Sequence, residues 1–108
     1  MTSTILDEVV RLIVDEVGPE KIVLFGSHAR GEATPDSDLD LIVIEKDAFG
    51  PDHERWAEIA RIRRALGPVR VPTDILVFSR EEEDRWRGTI NHVLAWGLRE
   101  GRVLYERT

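Results

Sequence analysis

No cysteine occurs among the 108 residues, which excludes disulfides and thiolate metal sites. Lysine is almost as scarce. Lys21 and Lys46 are the only two, and 21 acidic residues against 15 basic ones leave a formal net charge of −6. A broad basic surface able to neutralise a nucleic-acid backbone is therefore missing, and no direct grip on long DNA or RNA is expected. No run approaches the roughly eighteen apolar residues of a membrane span. Asp7 and Glu8 interrupt the first apolar segment, where a secretory leader would carry a basic stretch and a cleavage site, so a cytoplasmic protein without membrane contact is expected. What remains, 42% apolar and 33% charged residues in 12.3 kDa, suits one small globular domain over residues 1–108, without room for a second substrate-binding lobe.

Apolar periodicity organises that domain. Ile5, Leu6, Val9, Leu12, Ile13 and Val17 form a helical stripe, with Thr4 and Asp7 placed to cap its start and Gly18-Pro19 ending it. Ile22 to Phe25 is a short continuous apolar run, as a buried strand requires, and a second strand spans Asp38 to Ile44. Between them His28 to Thr34 has length for little more than one helical turn, and Asp36 and Ser37 read as turn residues. A second long helix runs from Glu54 to Leu66, carrying Trp56, Ile59, Ala60 and Leu66 as its apolar positions and closed by Gly67-Pro68. Arg61, Arg63 and Arg64 on it read as a solvated face paired with Glu54 and Glu58. A third strand covers about Val71 to Phe78. Ser79 and Glu82 then form a capping box ahead of one broken helix or two short ones, Glu81 to Arg87 and Ile90 to Glu100, and Val103 to Tyr105 adds an edge strand. The order of elements predicts an α/β fold with a small mixed sheet and helices packed mainly on one face.

The chemistry concentrates in the stretch from Leu24 to Leu41. Gly26-Ser27 halts the first strand and offers a close-approaching backbone and a hydroxyl to phosphate oxygens. Arg30 reads equally as a phosphate contact or as the partner of Glu32 or Asp36 in an ion pair. Strand alternation puts Asp38 and Asp40 together on the face opposite Leu39, Leu41 and Val43, about 7 Å apart along the strand. Asp74 intrudes into the third apolar strand, where a charge needs a reason. Three oxygen-only ligands on neighbouring strands suit two Mg2+ ions, which take carboxylates, waters and substrate phosphates, and Asp74 is also placed to accept a proton from an attacking hydroxyl. Other phosphate and cation motifs fail on spacing. No Gly-Lys-Ser/Thr follows Gly31, and the loop opening at Asp36 has Leu41 and Asp47 where an EF-hand needs glycine and glutamate. His28, His53 and His92 share no metal-ligand spacing and read as surface or partly packed residues. Trp56, Trp86 and Trp96 fall on helices, as core or as a partner interface.

Gly-Ser-x-Ala-Arg-Gly, then Asp-Ser-Asp-x-Asp-Leu, then a later strand with a single Asp resembles the minimal nucleotidyltransferases (MNT) of the DNA polymerase β-like superfamily, across nearly the whole chain. The resemblance implies a polymerase β palm-like nucleotidyltransferase fold. It also implies that Gly26 and Ser27 hold the triphosphate of ATP while Asp38, Asp40 and Asp74 serve as metal ligands and catalytic carboxylates; none of these five positions departs from the pattern. Such domains often act as MntA-type antitoxins beside a HEPN-domain toxin ribonuclease, transferring AMP from ATP to a toxin tyrosine. Two other classes stay open at this point: a nucleotidyltransferase acting on a small molecule, and a non-catalytic module that neutralises its partner by covering it.

Overall fold

The computed structural model describes residues 3–34, 37–69, 71–86 and 100–107. The elements run α1 (Ser3–Val17), β1 (Lys21–Phe25), α2 (Gly26–Arg30), β2 (Leu39–Glu45), α3 (Arg55–Ala65), β3 (Thr73–Ser79), α4 (Arg80–Trp86) and β4 (Arg102–Glu106). The strands form one mixed sheet in the order β3-β2-β1-β4. β1 is antiparallel to both β2 and β4, whereas β2 and β3 are parallel. A parallel pair cannot be joined by a tight turn, and α3 supplies the crossover.

Alternation along β2 divides its side chains between two layers. Leu39, Leu41 and Val43 join Leu6, Val9 and Ile13 of α1 and Ile62 of α3 in the larger core, which also takes Ile22 and Leu24 from β1. Ile42 and Ile44 face the other way, with Val23, and are covered by Phe25, Leu76, Phe78 and Trp86. Helices α1 and α3 thus sit on one face while α4 reaches the other through Trp86, which explains why the central strands read as continuous apolar runs. The β3 edge is guarded by Arg55, whose Nη1 donates to the Val77 carbonyl at 2.6 Å, and at the start of the interior strand β1 Lys21 pairs with the buried Glu83 of α4 at 2.6 Å.

Several expectations need correction. Helix α1 begins at Ser3, so Thr4 lies inside it and does not cap it. Trp56 is not a core residue of α3 but stands 78% exposed, and Ala60 is exposed as well. The inward face of α3 is instead built from Ile59, Ile62 and, just past its end, Leu66, with Glu58 buried beside them. Arg61 does pair with Glu58, at 2.9 Å, and it also reaches across to Glu16 of α1 at 3.3 Å. The second half of the predicted C-terminal helical segment, including His92 and Trp96, lies outside the described residues, as does Asp36.

Candidate active site

β1 ends at Phe25, and Gly26 turns the chain into the single turn of α2 with φ +71°. That left-handed value disfavours any residue with a Cβ. Space requires glycine as well, because a Cβ at this position would overlap the Asp40 carboxylate. Gly26 and Asp40 are therefore in direct apposition, a consequence of the pairing of Phe25 with Asp40 across β1 and β2. Ser27 follows within α2 and is half-buried, and Gly31 ends the turn with φ +74°.

The three aspartates come close together. Asp40 pairs in register with Asp74 across the parallel β2–β3 ladder, which puts their Cα atoms about 4.8 Å apart. Asp38 lies just before β2, which begins at Leu39 rather than at Asp38 as expected, and is near enough to Asp40 to repel its charge. The electrostatics bear out the crowding. Partial burial raises the Asp40 pKa above its ordinary value, repulsion from Asp74 and Asp38 adds to the rise, and His28 and Arg30 act in the opposite direction. Ionising Asp40 next to two like charges costs free energy, and a cation between the three would reverse that cost.

The loop from α2 to β2 is organised by short polar contacts. Thr34 N–H donates to Ser37 Oγ at 2.9 Å and Ser37 N–H donates to the Thr34 carbonyl at 3.0 Å, the turn expected of Ser37. His28 Nε2 lies 3.1 Å from the Ser37 carbonyl and ties α2 to the segment that delivers Asp38. This supporting role of His28 was not legible in the sequence, because it depends on how the loop folds back over nine residues. Arg30 Nε donates to Glu32 Oε2 at 3.2 Å, the ion pair expected with Glu32. Both side chains are exposed, and Arg30 remains near enough to Asp40 to favour its charged form.

A strand that stops at Gly-Ser against a three-carboxylate cluster suits a nucleoside triphosphate with bound cations. Residues 5–93 match the family described as "Nucleotidyltransferase domain". The chain belongs to this family. Forty-nine of its residues are 45% identical to "Putative protein adenylyltransferase MJ1305" of Methanocaldococcus jannaschii, covering 44% of the chain and a third of that relative's length. Two toxin-antitoxin crystal structures share the fold. One, solved with AMP-PNP, aligns over 94% of this chain and 73% of its own at a TM-score of 0.60 and 21% identity. The other, a mutant of the MntA-HpeT toxin-antitoxin, aligns over the same shares at a TM-score of 0.57 and 18% identity. The observed sheet is thus a nucleotidyltransferase fold, in agreement with the expected α/β class. Among the described residues of this nucleotidyltransferase domain, no helix is long and apolar enough to cross a membrane.

Proposed function

We propose that this nucleotidyltransferase domain transfers AMP from ATP to a tyrosine hydroxyl of a partner protein, and that it acts in the cytoplasm as the antitoxin of a HEPN-type toxin ribonuclease. The observation that carries the reading is the apposition of Gly26, just past the end of β1, with Asp40 of β2 and its register partner Asp74 of β3, with Asp38 nearby. Its oxygen-only donor set suits Mg2+, and the Asp40 pKa, raised first by partial burial, is raised further by repulsion from Asp74 and Asp38, which a shared cation would relieve. Asp38 and Asp40 would hold two Mg2+ ions, with Asp74 sharing one. Bound Mg2+ supplies neutralisation of charge on the phosphate oxygens during in-line displacement.

The chain's own residues do the rest. Gly26 lets the backbone approach the triphosphate, Ser27 donates its hydroxyl to a phosphate oxygen, and Arg30 contributes positive charge at the rim of the site. Asp74 accepts the proton as the acceptor oxygen bonds to the α-phosphorus; the bond from that phosphorus to the α,β-bridging oxygen breaks, and pyrophosphate leaves. A protein acceptor is supported by the adenylyltransferase named among the relatives and by the toxin-antitoxin assemblies among the structural neighbours. The exposed Asp74 at the sheet edge leaves the attacking side open to a side chain presented by another protein.

The test is transfer of label from α-32P-ATP with Mg2+ to the protein encoded by the neighbouring gene, compared with Asp38→Ala/Asp40→Ala. Label on a partner tyrosine that disappears in the variant supports the reading. A stable complex without label, or neutralisation that survives the double substitution, would replace it with inhibition by binding.

A further inference from the structure

A second polar cluster lies at the other end of β2 and on its other face. Glu45, the last residue of β2, points to the side of Leu41 and Val43, about 16 Å along the strand from Asp40. It meets His53 of the following loop and Glu58 of α3, and one ligand atom from each of the three lies within 4.8 Å of the others. The side chains of Glu45 and Glu58 are only 6% and 7% exposed. His53 Nε2 sits 3.3 Å from Glu45 Oε1, and Nδ1 sits 3.6 Å from Glu58 Oε1. Yet Glu45 Oε2 and His53 Nε2 are both buried with no hydrogen-bond partner among the described residues. Orphaned buried polar atoms are costly, and two of them in one cluster of potential ligand atoms call for a ligand.

The surroundings hold the three groups in place. The His53 ring stacks on Phe49, with centroids 4.8 Å apart and planes 7° from parallel, and its backbone exchanges hydrogen bonds with Gly50. Arg61 Nη1 donates to Glu58 Oε2 at 2.9 Å, which leaves Oε1 directed at the imidazole. Asp47 is near enough to repel the charge of Glu45. Acidic side chains thus outnumber the one guanidinium around the imidazole, an arrangement that favours a bound cation.

We propose that Glu45, His53 and Glu58 form a structural site for a zinc-type divalent cation, separate from the nucleotide site. One imidazole nitrogen with two carboxylate oxygens is a donor set that zinc accepts and magnesium does not prefer. Ligand atoms around such an ion sit about 3.4 Å apart, so small side-chain adjustments close the observed cluster onto it. The ion staples the end of β2 to α3 and fixes the loop between them.

The test uses the full chain carrying Asp38→Ala/Asp40→Ala, stripped with chelator, so that the nucleotide site contributes no metal. Calorimetric titration should give one Zn2+ per chain, Co2+ should give visible absorption of a low-coordinate site, and Zn2+ should raise the melting temperature. His53→Gln and Glu45→Gln should each weaken Zn2+ by at least about tenfold. Absence of Zn2+ binding, or binding unchanged by both substitutions, overturns the site. Should the variants fail to fold, the same Co2+ spectrum in the unsubstituted chain under millimolar Mg2+ decides: its persistence supports a separate site, and its loss to Mg2+ refutes one.

Discussion

At position 26 two independent requirements select glycine, a φ of +71° and the contact with Asp40. Gly26→Ala must adopt a strained backbone and displace the carboxylate, so about 1–3 kcal/mol of stability should be lost, read by urea unfolding. AMP transfer should fall far more than that loss of fold accounts for, since the displaced group is Asp40. The aspartates trade in the other direction. Asp40 pays for its burial and for two like-charged neighbours, so Asp40→Asn should raise the melting temperature in EDTA while abolishing transfer; a variant that melts lower and still transfers would contradict the assignment. Gly26, Asp40 and Asp74 stood out in the sequence because each breaks a local rule, a glycine at a strand end or a charge in an apolar strand, and Asp38 stood out by its spacing from Asp40. The tie from His28 to Ser37 was not legible, and Glu32 was only one of two partners offered for Arg30, because a loop's own fold selects among equally plausible polar partners.

Among the elements, the capping box after β3 is the clearest case of local sequence dictating structure. Ser79 Oγ accepts from Glu82 N–H at 3.1 Å, and Glu82 Oε1 accepts in return from Ser79 N–H at 2.9 Å. Burial would raise the Glu82 pKa, but hydrogen bonds from Arg55 and Ser79 outweigh it and hold the carboxyl below the usual range. Ser79→Ala should cost about 1 kcal/mol in urea unfolding. The strands were equally legible, as apolar runs bounded by turn residues. α3 was not. Its sequence offers Trp56 as the largest apolar group, yet the orientation of the helix is set by Ile62 and Leu66 entering the core of α1 and the sheet, and that turns Trp56 to solvent. Helical periodicity places residues on a common face without saying which face meets a neighbour.

Across the whole molecule, β2 links two polar sites that lie at opposite ends and on opposite faces of one apolar strand. The sequence exposed one of them and hid the other, because Asp38-x-Asp40 follows a short motif, whereas Glu45, His53 and Glu58 converge only after the loop folds back onto α3. The hidden cluster contributes to how stability depends on pH when no metal is present. Burial, with the carboxylate of Glu58 facing it and Asp47 nearby, raises the Glu45 pKa to about 8, while Arg61 acts against the rise. The imidazole of His53 packs against the same carboxylate. In the unfolded chain Glu45 loses its proton in the ordinary glutamate range. Between that range and about pH 8 the folded state therefore holds a proton that the unfolded state has released, so stability must fall as pH rises through this window. Chelator-treated protein should unfold at progressively lower urea concentrations from pH 5 to pH 8, and Glu45→Gln, which cannot ionise, should flatten that decline. A slope identical in the native chain and the variant would show that Glu45 is ionised throughout.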